Sequence, residues 1–159
     1  MSHTAVLLVG VQVAGSLTPL QAVPEALSKM HEWAKTQTTA RYIRRVCDFE
    51  GNEVRASAVQ DAADELLNLP DVSRLVIYFC GHGIVVGTDE FWLLSRAPKW
   101  GSEAINVGGT AKAGQSLQIP HVVLISDACR LLTTHVQGAA VGGTVILPTT
   151  DRAGARSKV

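Results

Sequence analysis

Leu75-Val76-Ile77-Tyr78-Phe79-Cys80-Gly81-His82-Gly83 is the stretch whose reading decides the fold. Its six leading apolar residues, rich in β-branched and aromatic side chains and without polar alternation, predict a strand covered on both faces. Two other runs share that character, Ala5 to Val11 and Val122 to Ile125. Between the first two, Val23, Ala26, Leu27, Met30 and Ala34 recur at helical spacing with Pro24 in the first turn, which predicts a helix. Arg41 to Phe49 reads as a more polar strand. Val59, Ala62, Ala63, Leu66 and Leu67 then trace a second helical stripe, opened by Ser57 and Gln60 at capping-box spacing and stopped by Pro70. Strands alternating with helices predict one α/β domain over residues 1–150, a three-layer α/β/α sandwich around a mainly parallel sheet. Downstream, Phe91 to Leu94 predicts a short strand and the segment to Gln118 one irregular helix. A short helix is expected after Cys129 through Val136, and a last strand from Thr144 to Leu147.

Bulk properties narrow the function. With 159 residues, 47% of them hydrophobic and 18% charged, the chain has an ordinary globular composition and needs no disulfide or metal to hold a core. Fourteen basic and fourteen acidic residues cancel, so there is no electrostatic footprint for nucleic acid or an anionic membrane. Three cysteines at irregular spacing, Cys47, Cys80 and Cys129, suit a reduced cytoplasmic protein better than a disulfide framework. Ala5 to Val13 lacks a leading Lys or Arg and is interrupted by Gln12, unlike a signal peptide. No run reaches the length of a membrane span.

In a parallel sheet, reacting groups gather beyond the carboxyl ends of the strands. Two segments are expected there: Gly81-His82-Gly83, and Ser126-Asp127-Ala128-Cys129-Arg130. A free thiol is only a few per cent thiolate at neutral pH, so a catalytic Cys needs a base or positive field beside it. His82 supplies one if the two segments meet. The thiolate of Cys129 would then attack a carbonyl carbon while His82 serves as general acid and base. Backbone N–H groups of Gly83 and Cys129 are the candidate oxyanion donors.

The paired segments, 47 residues apart from His82 to Cys129, resemble the signatures of caspase-like cysteine peptidases, where the separation is about 50. The likeness is to the metacaspase and prokaryotic caspase branch in particular, and it includes the Phe91-Trp92-Leu93-Leu94 segment past the His. The resemblance implies a caspase-like fold, Cys129 as nucleophile and His82 as general acid/base, with Gly83 and Cys129 as oxyanion donors. It places Asp127 in the primary specificity pocket, where a carboxylate would pair with Lys or Arg. The loop from Gln12 to Pro24 holds no Arg of the kind that binds aspartate in animal caspases, so cleavage after Arg or Lys is favoured. Leu131 stands where animal caspases carry Gly. The resemblance also implies further chain beyond the last strand. The expectation is therefore a domain lacking its C-terminal part, or the large subunit of a processed enzyme whose small subunit is a separate chain. Residues 151–159 are a polar, basic tail suited to self-processing. Activation by a partner or sensor protein, and a role in stress response, regulated cell death or defence, are further implications.

Plainer readings stand beside these. His82 and Cys129 are a strand-end histidine and a buried thiol if they do not meet, Cys80 is core, and Asp127 is a helix cap if its role is local. Asp89 and Glu90 suggest calcium, but two carboxylates fall short of the six to eight oxygens it takes, so no cofactor is expected. The rival functions are a catalytically idle binding or regulatory module of the same fold, and a flavodoxin-type ligand-binding domain. Gly10 and Gly15 stand without a phosphate-binding loop, which counts against the latter.

Overall fold

The computed structural model describes residues 2–37, 39–132 and 141–149. The strands are β1 (His3–Gly10), β2 (Ala40–Cys47), β3 (Val72–Val86), β4 (Asp89–Leu93), β5 (Ala104–Asn106) and β6 (His121–Leu132). The helices are α1 (Val23–Thr36), α2 (Ala56–Leu67) and α3 (Val107–Gln115). The sheet is mixed. β1 runs parallel to β2 and to β3, β3 parallel to β6, and β4 antiparallel to both β3 and β5.

The continuous apolar runs are explained by burial on both faces. Ala5, Leu7, Val9, Leu75, Ile77 and Phe79 pack with Val59, Ala63 and Leu66 of α2 and Ala113 of α3, whereas Val6, Leu8, Val76, Tyr78 and Cys80 pack with Val23, Leu27 and Ala34 of α1. Successive side chains point to opposite faces of a strand, so each run feeds two cores at once.

Four expectations change. β3 does not end at Cys80. It continues through Gly81, His82 and Gly83 to Val86 and turns at Gly87, in the left-handed region at φ +63°, into β4. The β-branched run after His82 carries the ladder on, and the glycines admit close neighbours: a Cβ on Gly83 would lie 2.9 Å from the Cys129 carbonyl oxygen. β6 likewise runs past Cys129 to Leu132, as a strand rather than a helix, and residues 133–140 lie outside the described residues. Ser57 does not cap α2. The helix begins at Ala56, whose N–H is accepted at 2.8 Å by Glu103 Oε2, while Glu103 Oε1 takes Arg55 Nε at 2.8 Å and Gln60 turns to the Val145 carbonyl. The Thr144–Leu147 run is no strand. Thr144 makes a single bridge to Ile105, and Ile146 and Leu147 enter the core. The tail 151–159 lies outside the described residues.

Candidate active site

β1 leaves the sheet after Gly10, whose register partner is Cys80, whereas β3 and β6 stay paired as far as Val85 and Leu132. His82 lies two residues beyond the point where β1 ends, on the open shoulder this creates. Its register partner across the β3–β6 ladder is Cys129. The two side chains are therefore adjacent within paired strands, not at the tips of loops, and the ladder fixes their approach.

Cys129 Sγ lies 3.4 Å from His82 Nδ1. The other ring nitrogen, Nε2, is 2.9 Å from the backbone carbonyl of Thr18, in the loop between β1 and α1. A carbonyl only accepts, so Nε2 carries the hydrogen and Nδ1 of the neutral ring turns a lone pair toward the thiol. His82 is buried and Cys129 is exposed: the base is held by the protein and the sulfur faces solvent. Thr18 is a part of the site that its residue type does not advertise, because the contribution is a backbone oxygen. Gly81 belongs to the same construction. A Cβ there would come within 3.0 Å of the Val11 carbonyl oxygen and 2.8 Å of the Phe79 ring, so glycine lets the departing β1 chain cross close to β3.

The strand faces sort the neighbours. Tyr78 and Asp127 share the α1-facing side with the pair, and the Tyr78 hydroxyl donates to Asp127 Oδ2 at 2.7 Å. Burial first, and that bond second, hold the phenol above its ordinary range. Asp127 is exposed. Its Oδ2 takes Tyr78, and it caps no helix, since β6 continues past it. Cys80 is buried beside Tyr78, and burial pushes its thiol up to about 11. On the opposite face, Ser126 Oγ accepts from Trp92 Nε1 at 2.8 Å and donates to Glu90 Oε1 at 2.6 Å, and Arg130 reaches Glu90 Oε2 at 3.4 Å. Trp92 stacks on Phe79 at 4.9 Å. This network clamps β6 on both sides of Asp127 and Cys129. It also occupies both oxygens of the Glu90 carboxylate. Among the described residues, no group of three or more His, Cys, Asp or Glu side chains is arranged to hold a metal ion.

Gly83 is paired on both edges, with Trp92 of β4 and Arg130 of β6. β6 pairs with β3 alone among the described residues, so its other edge carries no strand there. No helix among those residues is long and apolar enough to cross a membrane. No family model matches the chain, and no curated protein matches it.

Proposed function

We propose that the chain carries the catalytic centre of a caspase-like cysteine endopeptidase that cleaves after Arg or Lys. The observation that carries this reading is the two-ended placement of His82, Nδ1 at 3.4 Å from the Cys129 sulfur and Nε2 at 2.9 Å from the Thr18 carbonyl. An orienting acceptor behind a base that faces a nucleophile is the general arrangement of triad-type acyl transfer. The order of elements through β6, with both motifs on adjacent parallel strands, supports a caspase-like version of the α/β fold.

In this mechanism His82 Nδ1 takes the thiol proton and the sulfur attacks the scissile carbonyl carbon. The imidazolium donates to both Thr18 and the developing leaving group. It protonates the departing amine as the carbon–nitrogen bond breaks, leaving a thioester on Cys129. A water then loses its proton to His82, adds to the thioester carbon and releases the acid product, and the thiol is reprotonated. Cys129 and Gly83 are the backbone donors assigned to the oxyanion. Donation by Gly83 requires the far end of β3 to loosen from its ladder. Asp127, exposed and two residues before Cys129, meets a guanidinium or ammonium at the cleaved residue. The three cysteines are free, in keeping with a reducing cytoplasmic setting. Self-processing in the tail 151–159, and activation by a partner, sensor or small subunit, belong to the same reading.

The edge of β6 that carries no strand among the described residues favours a second reading, an idle binding module that pairs this strand with another protein. Fluorogenic peptides ending in Arg, Lys or Asp separate the two. Turnover of the Arg and Lys peptides, lost in both Cys129→Ala and His82→Ala, supports the peptidase. Absence of turnover in the presence of any separate C-terminal portion favours the module, and turnover after Asp alone removes the role given to Asp127.

A further inference from the structure

We propose that Asp48 is a positioning residue for His82, acting by holding the loop that presents the Thr18 carbonyl. The inference rests on the reading of His82 and Cys129 as a catalytic pair.

Residues 11–22 contain no helix or strand, so the direction of the Thr18 carbonyl depends on where this loop is tethered. Asp48, in the turn that follows β2, uses both carboxylate oxygens for it: Oδ1 accepts the Gln12 N–H at 2.9 Å and Oδ2 the Val13 N–H at 2.8 Å. Hydrogen bonds to an ionised carboxylate are roughly twice as strong as neutral ones, and two parallel ones add geometric definition. The same Gln12 residue accepts the Leu20 N–H on its carbonyl at 2.9 Å. Only Pro19 separates Leu20 from Thr18. Proline fixes its own φ and confines the preceding residue to extended conformations, so the Thr18 carbonyl points where Leu20 is held. The path from carboxylate to imidazole is thus Asp48, the Gln12 peptide units, Leu20, Thr18 and His82, with a hydrogen bond or a stiff link at each step.

The other tethers do not replace this one. Val11 N–H bonds the Cys80 carbonyl and Gly15 N–H the Ser95 carbonyl, which anchors the start and the outer bend. The loop's outer side borders an open cleft of about 930 Å³ lined by Gln12, Val13, Ser16, Leu17, Lys99 and Trp100 among others. That cleft leaves the Gln12–Val13 side of the loop room to shift relative to His82 once the carboxylate is gone. Without the Thr18 acceptor the Nε2–H is no longer held in place, and the ring is free to turn Nδ1 away from the Cys129 sulfur.

The experiment reads the second-order rate at which iodoacetamide alkylates Cys129 at pH 7, in the full chain and in Asp48→Ala, Asp48→Asn, His82→Ala and the double variant Asp48→Ala/His82→Ala. Alkylation needs no peptide substrate, so it reports the pair itself. His82→Ala is expected to slow the reaction about tenfold, and Asp48→Ala to slow it to within about threefold of that value, with no further slowing in the double variant, the mark of two residues acting as one unit. Asp48→Asn keeps one acceptor oxygen and is expected to fall between, and being isosteric it serves if the alanine variant does not fold. A wild-type rate in both Asp48 variants alongside a slowed His82→Ala overturns the proposal and leaves the catalytic pair standing. Equal slowing by Asp48→Ala with and without His82 also overturns it, because the effect is then general loosening. An unslowed His82→Ala removes the pair, and the proposal with it.

Discussion

Brief exposure of the native protein to limiting iodoacetamide at pH 7 should modify one thiol of three. Burial pushes Cys80 up to about 11, with the Asp127 charge adding to the shift and the Tyr78 hydroxyl opposing it. Cys47 is pushed up to about 11 by burial first and by Glu50 second. A thiol titrating at about 11 is about 0.01% thiolate at pH 7, against about 3% for free cysteine, a deficit of roughly 300-fold. The more basic thiolate is the better nucleophile, by about tenfold over that interval for a Brønsted slope of 0.4–0.5. The net deficit is about 30-fold before access is counted, and Cys80 is only 6% exposed. Cys129 is exposed and faces Nδ1 of His82. Peptide mapping by mass spectrometry after a time course should therefore find the adduct on Cys129, and Cys129→Ser should leave a protein that reacts at least about 30-fold more slowly than free cysteine. Labelling of Cys80 or Cys47 at the rate of free cysteine would refute the reasoning from burial.

Gly83→Ala would place a Cβ 2.9 Å from the Cys129 carbonyl oxygen and 3.0 Å from the Ala128 Cβ. β6 must then shift at about 1–3 kcal/mol, and peptide turnover and melting temperature should fall together; unchanged turnover would contradict the tight β3–β6 approach. Glu103→Ala removes the acceptor at the start of α2 and the partner of Arg55, which should cost about 1–2 kcal/mol in denaturant unfolding without changing Cys129 labelling. The fold should also weaken in alkali. Cys47, Cys80 and Tyr78 keep their protons in the folded state beyond the pH at which the unfolded chain releases them. The contribution of the two thiols is whole below about pH 8.5 and is lost as pH rises toward about 11, whereas that of Tyr78 begins to be lost only above about pH 10. Melting curves over that interval should decline, less steeply in Cys80→Ala, and a flat profile would contradict the assignment.

The elements legible in the sequence are those whose signal is local. Leu75 to Cys80, Ala5 to Gly10 and the Val59–Leu66 stripe each announce their structure by apolar spacing, and the structure keeps them. What could not be read depends on contacts made far along the chain. Gly81 and Gly83 look like the end of a strand, yet β3 runs through them because β6 pairs with it there and β4 from Gly83 on, and the glycines admit the close approach of Val11 and Cys129. Ser57 and Gln60 have capping spacing, but Glu103, 47 residues from Ala56 in sequence, reaches the helix end first. Thr144 to Leu147 has strand composition, and its apolar residues are spent on the core instead. The pairing of His82 with Cys129 was expected from the two motifs. Thr18 and Asp48 were not, since one acts through its backbone and the other through the backbone of Gln12 and Val13.

A peptidyl-arginine chloromethyl ketone, incubated with the protein and followed by intact-mass spectrometry, tests the catalytic pair most directly. One adduct, mapping to Cys129, formed much more slowly in His82→Ala and not with the aspartyl counterpart, is the predicted result. Equal adduct formation with and without the imidazole would contradict the account.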